Sequence, residues 1–325
     1  MASSKMFWLT LALICMLGAV SADYHPVNEQ LVQEIKETAT WTPMEVDENP
    51  FAHWSLEEIK ALMGTNLEDD LDSFEAGEIE IYQGEDLEDY PESFDGRREF
   101  GSAIKPIRNQ QKCGSCWAFG AVTAFSDRYN IATGNAEQKI FSPQDMVSCS
   151  QQNRACAGGF VPKAWNYIKV KGVVDDDCHP YTSGETKKRG SCLKKCVDGS
   201  AMKRYKCGQL HHAGSTKGAR GMIQKGPVEG AFTVYDDFMS YGGGIYQHKS
   251  GKMLGGHAIK IIGWGKEGDL YYWLCANSWG PAWGENGYFR IQMGQVGINN
   301  KIYAANPIIK SLEEELKEST NVVSE

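Results

Sequence analysis

The sequence predicts an α+β body, a helical half and a sheet half with a cleft between them, preceded by a long acidic leader. Three observations carry this. Apolar residues recur at three- and four-residue steps in 116–131, 142–149 and 160–171, which reads as helix. Runs rich in Val, Ile, Tyr and Trp, bounded by glycines, follow at 230–234, 257–263, 271–276, 288–292 and 302–305, which reads as strand. Helices first and strands second argue for two packed units, and a cleft between units is where ligands bind. The third observation is charge. Residues 23–89 hold 20 Asp/Glu against two Lys, a net of −18, whereas 90–306 hold 28 Lys/Arg against 17 Asp/Glu, a net of +11.

Residues 1–22 read as a signal peptide. Lys5 supplies the positive start, 7–20 is apolar, and Val20-Ser21-Ala22 gives small residues for cleavage. An apolar run of 14 residues is too short to span a bilayer, and no later segment is longer. No membrane span is therefore expected, and the chain enters a route where disulfides form. The basic residues of the body are scattered, with no arginine-rich run. The acidic leader explains them better than nucleic acid does.

Within 23–89, Leu31 and Ile35, then Leu56, Ile59 and Leu62, have helical spacing. Trp41, Phe51 and Trp54 give this stretch something to dock with, so it reads as a pro-segment seated on the body rather than a disordered tail. Residues 68–89 hold 11 Asp/Glu in 22 residues with no Lys or Arg, and read as an exposed linker. The tail, 307–325, is short and acidic. Tyr241-Gly242-Gly243-Gly244 reads as a flexible loop. A phosphate cradle would need a GK[ST] and a following helix, and neither is there.

The stretch from Gln110 to Phe119 carries the chemistry. Cys113-Gly114-Ser115-Cys116 is a C-x-x-C, and Cys116 stands at the start of the helix expected over 116–131. Free N–H groups and the helix dipole there favour a thiolate. Three readings are open at this point: a redox pair, a lone nucleophile beside a structural half-cystine, and a disulfide framework. Cys15 leaves with the signal peptide, so nine cysteines remain and at least one thiol is unpaired. A cysteine nucleophile needs a base, a group to orient the base, and donors for an oxyanion. His257 heads the strand expected after Gly255-Gly256. Asn277 follows the next strand, in Asn277-Ser278-Trp279-Gly280, where its amide can hold the imidazole and Trp279 can shield that bond. Gln110, six residues before Cys116, offers an amide donor beside the Cys116 N–H.

These motifs resemble the papain family of cysteine proteases, and within it the cathepsin B subgroup. The likeness covers 90–307. It rests on Gln110 to Phe119, Gly255-Gly256-His257-Ala258, Asn277-Ser278-Trp279-Gly280 and Gly284-Glu285-Asn286-Gly287-Tyr288, with Gly226-Pro227-Val228-Glu229-Gly230-Ala231-Phe232 and Ile245-Tyr246-Gln247-His248 pointing to the subgroup. The resemblance implies a papain-like fold, with a helical left domain and a β-barrel right domain. It implies an inhibitory propeptide over 23–89 lying through the cleft, and a mature chain of 90–306 starting near Tyr90-Pro91. Cys116 would be the nucleophile of an endopeptidase, His257 its acid/base, Asn277 the orienting group, and Gln110 part of the oxyanion hole. Gly158 and Gly159 would bind substrate backbone, with Ala258, Trp279 and Lys301 also lining the substrate site. Disulfides would join Cys113 to Cys156, Cys149 to Cys192 and Cys178 to Cys196, leaving Cys207 and Cys275 undetermined. No cofactor or metal is implied. Expected partners are protein and peptide substrates, the chain's own leader as inhibitor, and cystatin-type inhibitors of a monomeric enzyme, in a lysosome-like or vacuolar compartment or secreted.

Two departures from the subgroup matter. Its long occluding loop is missing, since only 13 residues separate Cys178 from Cys192, and His211-His212 lies beyond Cys196. The glutamate that floors its second upstream pocket is replaced by Lys301. Both predict a change of activity: cutting within chains rather than removing C-terminal dipeptides, and apolar residues preferred over arginine.

Overall fold

The computed structural model describes residues 24–68, 74, 77–84 and 90–309. The expected signal peptide, most of the acidic tail and the remainder of the acidic linker lie outside these residues.

The leader contributes α1 (Glu29–Thr38), β1 (Thr42–Pro43), α2 (Leu56–Ala61) and β2 (Ile79–Tyr82). In the body, β3 (Phe94–Asp95) and α3 (Gly96–Glu99) lead into the long helix α4 (Cys116–Ala132), then α5 (Pro143–Cys149), α6 (Val161–Val170) and α7 (Ser183–Thr186). The second half holds β4 (Cys207–Ala213), α8 (Thr216–Gln224), β5 (Val228–Tyr235), α9 (Asp236–Met239), β6 (Tyr241–Gly243), β7 (Ile245–Tyr246), β8 (Met253–Glu267), β9 (Leu270–Ala276), β10 (Tyr288–Gln292) and β11 (Ile302–Pro307). The main sheet runs β2-β4-β11-β5-β8-β9-β10-β7, with β3 also on β8.

Helix α4 has almost no solvent face: all but Thr123, Ile131 and Ala132 are buried, the polar Asp127, Arg128 and Asn130 included. A helix of that kind belongs in a core rather than on a surface. It packs against β8, β5 and β11 on one side and α5 and α6 on the other. α5 begins as its sequence asks: the Ser142 hydroxyl accepts the Asp145 N–H at 3.0 Å, and Pro143 opens the first turn. Three disulfides brace the helical half, Cys113–Cys156, Cys149–Cys192 and Cys178–Cys196. Cys207 and Cys275 are free and buried in the sheet half.

The two halves are tied by a buried ion pair. Lys260 Nζ on β8 donates to Asp127 Oδ2 on α4 at 2.5 Å, and the Lys105 N–H donates to Asp127 Oδ1 at 2.9 Å. Both side chains are almost wholly out of water, so each charge depends on the other.

The leader docks by its apolar residues. Leu31, Val32 and Ile35 of α1 are buried. Trp41 packs on Tyr241 and Tyr246, with centroids 5.9 and 5.3 Å apart, and its indole N–H donates to Gln247 O at 2.9 Å. Phe51 meets Trp279 edge-on at 5.3 Å. Two expectations are corrected here. The glycines at 241–244 are not a loose loop: β6 pairs antiparallel with β1 of the leader. Nor is 68–89 wholly a linker, because Ile79–Tyr82 forms a strand parallel to β4. Ile79 and Tyr82 pack partly buried against the core there, and the charge density of the segment masked that pattern. β4 and α8 were not expected. The polar Gln209, His211 and His212 interrupt β4's apolar signal, and two glycines weaken α8's helical one.

Removing one partner of the buried pair strands the other. Asp127→Ala is expected to cost about 3–5 kcal/mol of stability, whereas Asp127→Leu with Lys260→Met costs much less. Thermal or denaturant unfolding of the two variants checks this; equal losses in both would show that the pair is not what matters at this contact.

Candidate active site

Cys116 is the first residue of α4 and fully buried. The helix presents its early N–H groups there, and the Trp117 N–H is directed at the sulfur. Across the cleft, the Ala258 N–H on β8 is directed at the same sulfur, and His257 is the residue before it in that strand. His257 is not at the head of its strand, as its glycines suggested. β8 starts at Met253, and His257 pairs with Phe232 within it. Strand pairing on that side gives the ring a rigid base.

His257 Nε2 donates to Asn277 Oδ1 at 2.7 Å. Asn277 Oδ1 also accepts the Ser278 N–H at 2.8 Å, which fixes the amide's orientation. With its Nε2 proton committed to Asn277, a neutral ring keeps the lone pair on Nδ1, which is buried with no well-aligned hydrogen bond among the described residues and only the Leu62 backbone of the leader directed at the ring. Trp279 lies over the imidazole, with centroids 4.7 Å apart, and covers the bond to Asn277.

Gln110 Nε2 donates to Leu62 O of the leader at 3.1 Å and to Cys113 O at 3.0 Å. Two residues not singled out in the sequence hold Gln110 in place. Ser278 Oγ donates to its Oε1 at 2.7 Å, and Tyr181 Oη donates to its backbone carbonyl at 2.8 Å. Ser278 lies inside a motif already quoted, but nothing in the sequence pointed to Tyr181.

The leader fills the cleft. Gly159 N–H donates to Gly64 O at 2.9 Å, Asn66 N–H donates to Gly159 O at 2.9 Å, and Thr65 N–H donates to Gly256 O at 3.0 Å. Both bridges run parallel, Thr65 with Gly159 and Gly64 with Gly256. Gly64 is required for so close an approach, since a Cβ on it would lie 2.0 Å from Gly114 O. What meets the Cys116 sulfur is the Thr65 hydroxyl, at 3.0 Å, a side-chain oxygen and not a carbonyl carbon. The segment therefore occupies the site without presenting a bond to be cut. Leu67 lies against Gly256, next to His257 and Ala258. Lys301 is half-buried just before β11, and its carbonyl accepts the Ala231 N–H at 3.0 Å.

Burial under the leader sets the ionisation. It pushes the Cys116 thiol up, against the opposing pull of the Thr65 hydroxyl and the backbone N–H groups. It also pushes His257 down to about 4, against the bond to Asn277. The thiolate expected at this helix start is thus not favoured while the leader is on, because desolvation outweighs the helix terminus. Among the described residues, Glu58 is the leader carboxylate best paired with the body. Lys112 at 2.7 Å, with Lys187 at 3.1 Å, holds it down at about 2.

The profile "Papain family cysteine protease" matches residues 90–306. The curated relative "Cathepsin B-like CP2" of Giardia intestinalis is 40% identical over 232 residues, 67% of this chain and 75% of that one. A "Gut-specific cysteine proteinase" of Caenorhabditis elegans is 43% identical over 243 residues, 67% of this chain and 74% of that one. Among solved structures, the procathepsin B S9 of Trypanosoma congolense superposes with a TM-score of 0.78 at 26% identity, covering 88% of this chain and all of that one. Among the described residues no helix is long and apolar enough to cross a membrane, and no cluster of His, Cys, Asp or Glu could hold a metal.

In a Cys116→Ser chain, where no thiol proton can move to the ring, leader release should take up a proton from solvent at His257. The ring is held at about 4 with the leader on and returns towards its ordinary 6.5 when exposed. The leader-bound state is therefore fully favoured above pH 6.5 and loses ground as pH falls through 6.5 to 4. Glu58 stays charged across that window, so its ion pairs do not account for the loss. Trp fluorescence of a Cys116→Ser chain should report release rising over this range, with His257→Gln flattening the profile. A profile unchanged by His257→Gln would exclude this coupling.

Proposed function

Because this chain belongs to the papain family of cysteine proteases, we propose that it is an endopeptidase made as a zymogen, acting through Cys116, His257, Asn277 and Gln110. The observation that carries the reading is the arrangement around Cys116: a sulfur at a helix start that meets the N–H of Ala258, the preceding His257 oriented by Asn277 at 2.7 Å, and Gln110 already holding a carbonyl oxygen of the leader at 3.1 Å.

In this mechanism, leader release rehydrates the site and lets the Cys116 proton pass to His257 Nδ1, giving thiolate and imidazolium. The sulfur adds to a substrate carbonyl. The oxyanion takes the place of Leu62 O, receiving the Gln110 amide and the Cys116 N–H. His257 then gives its proton to the leaving amine as the C–N bond breaks and a thioester remains. It next takes a proton from water, which hydrolyses the thioester and frees the thiolate. Gly158 and Gly159 hold the substrate backbone, as Gly159 holds the leader's.

Cutting within chains follows from the short segment between Cys178 and Cys192. Tyr181 in this segment turns inward to Ser115 Oγ and Gln110 O, each at 2.8 Å. The pocket for the second upstream residue lies where Leu67 now sits, between Gly256 and Ala258, with Lys301 at its floor. Burial pushes the Lys301 ammonium's pKa down, as expected for a cation that is partly desolvated. A cation there repels arginine and leaves an apolar preference. The chain acts in the secretory route or a vesicular, lysosome-like compartment, on protein and peptide substrates, and cystatin-type inhibitors fit the same cleft.

Cys116→Ala and His257→Ala should abolish peptide hydrolysis with the fold intact, and Asn277→Ala should lower kcat less, since it removes orientation rather than chemistry. Turnover by Cys116→Ala would end the reading, including its rival as a catalytically idle binding homologue. A peptide library should show apolar residues favoured over arginine at the second upstream position, and Lys301→Glu should raise arginine by about tenfold, near 1.4 kcal/mol. Arginine already preferred in the wild type, with no change in Lys301→Glu, would remove Lys301 from the pocket. Main release of C-terminal dipeptides would contradict the endopeptidase assignment.

A further inference from the structure

The leader touches the enzyme again a short way past the cleft contacts, at a different surface. Strand β2 lies parallel on the outer edge of β4, pairing Ile79 with Leu210, Glu80 with His211, Ile81 with His212 and Tyr82 with Ala213. Side chains extend the ladder. Gln209 Nε2 donates to Gly77 O at 3.0 Å and Glu78 O at 2.8 Å, and the Gly214 N–H donates to Tyr82 O at 3.1 Å. Helix α8 is shaped to receive the end of the strand. A Cβ on Gly218 would stand 2.2 Å from Tyr82 O, and one on Gly221 would stand 3.1 Å from the Tyr82 ring. Lys225 Nζ lies over that ring at 5.3 Å, His211 meets it edge-on at 6.1 Å, and His211 Nδ1 lies 3.6 Å from Glu80 Oε2. None of these groups belongs to the cleft.

The geometry points to a strand-addition site on the β4 edge and α8 that binds 77–84 on its own and keeps the inhibitory segment tethered to the enzyme after the chain has been cut near 89–90. A cut there is then insufficient for activation, and a second cut, between the cleft segment and β2, is needed. This rests on the reading of 24–68 as the inhibitor. Tether length sets the size of the effect. From Glu68 to Ile79 is 11 residues, and from Glu68 to Tyr90 is 22. While the chain is whole, losing the β2 contact doubles the tether and lowers the effective concentration by about threefold. Once the chain is cut at 89–90, β2 is the tether, and losing it forfeits avidity on the order of a hundredfold.

The test uses the full chain with a site-specific protease recognition sequence in place of 85–89, compared with Ile81→Pro and Tyr82→Ala in the same background. Both substitutions lie in the leader, so the fully processed enzyme has the wild-type sequence in every case. The readout is the rate at which an epoxysuccinyl inhibitor labels Cys116 at neutral pH, before and after the engineered cut. Wild type should label within a few-fold of its uncut rate after cutting. Ile81→Pro and Tyr82→Ala should label within about threefold of wild type before the cut and at least tenfold faster after it. A synthetic peptide of residues 77–84, added to cut wild type, should speed labelling towards the variants. Cut wild type labelling as fast as fully processed enzyme, or variants indistinguishable from wild type after the cut, would overturn the proposal. Uncut wild type labelling as fast as processed enzyme would instead overturn the inhibitory reading of 24–68.

Discussion

The structure depends on one constraint: a sulfur at a helix start and an imidazole on a strand must be brought together by the packing of the helical half on the sheet half. Neither half can position both. Helix α4 brings Cys116 and strand β8 brings His257, so the relative placement of helix and strand decides whether they meet. The Lys260–Asp127 pair lies on these same two elements, three residues past His257 and 11 past Cys116. A buried pair is weak as a source of stability but strict about geometry, because the desolvation cost is repaid only at contact distance. It behaves as a register pin between the halves.

The leader uses that geometry without triggering it. Its backbone joins Gly159 on one wall and Gly256 on the other, as a third strand closing the gap. What it presents to Cys116 is a hydroxyl, and what it presents to Gln110 is the carbonyl of a residue three positions earlier. The two features that must coincide on one peptide bond for reaction are thus split between Leu62 and Thr65. The leader therefore fills the cleft in this misregister and removes water from around Cys116 and His257.

Much of the site was legible in the sequence, for local reasons. Cys116, His257, Asn277 and Gln110 each sit in a short motif whose spacing is specific, and the three disulfides joined the cysteines the family resemblance named. What escaped notice depends on distant neighbours. Tyr181 reaches Gln110 from 71 residues away, and nothing around it marks that contact. β2 is a strand because β4 offers it an edge; taken alone, Ile-Glu-Ile-Tyr in an acidic run is a short alternation in a charged context. The glycines of 241–244 read as freedom when they are in fact paired with the leader. Helices α4 and α5 were easier, since an apolar face and a Ser-Pro start are local signals.

The free thiols add a point about how such a chain survives its own synthesis. All three disulfides lie in the helical half, while Cys207 and Cys275 are sealed in the sheet half. Cys116 is also a free thiol, and it lies three residues along the chain from the Cys113–Cys156 bridge. Thiol–disulfide exchange needs a thiolate with access to a sulfur. A leader that buries Cys116 and pushes its thiol up denies both at once. The leader's burial of Cys116 therefore also keeps that thiol from exchanging with the neighbouring Cys113–Cys156 bridge.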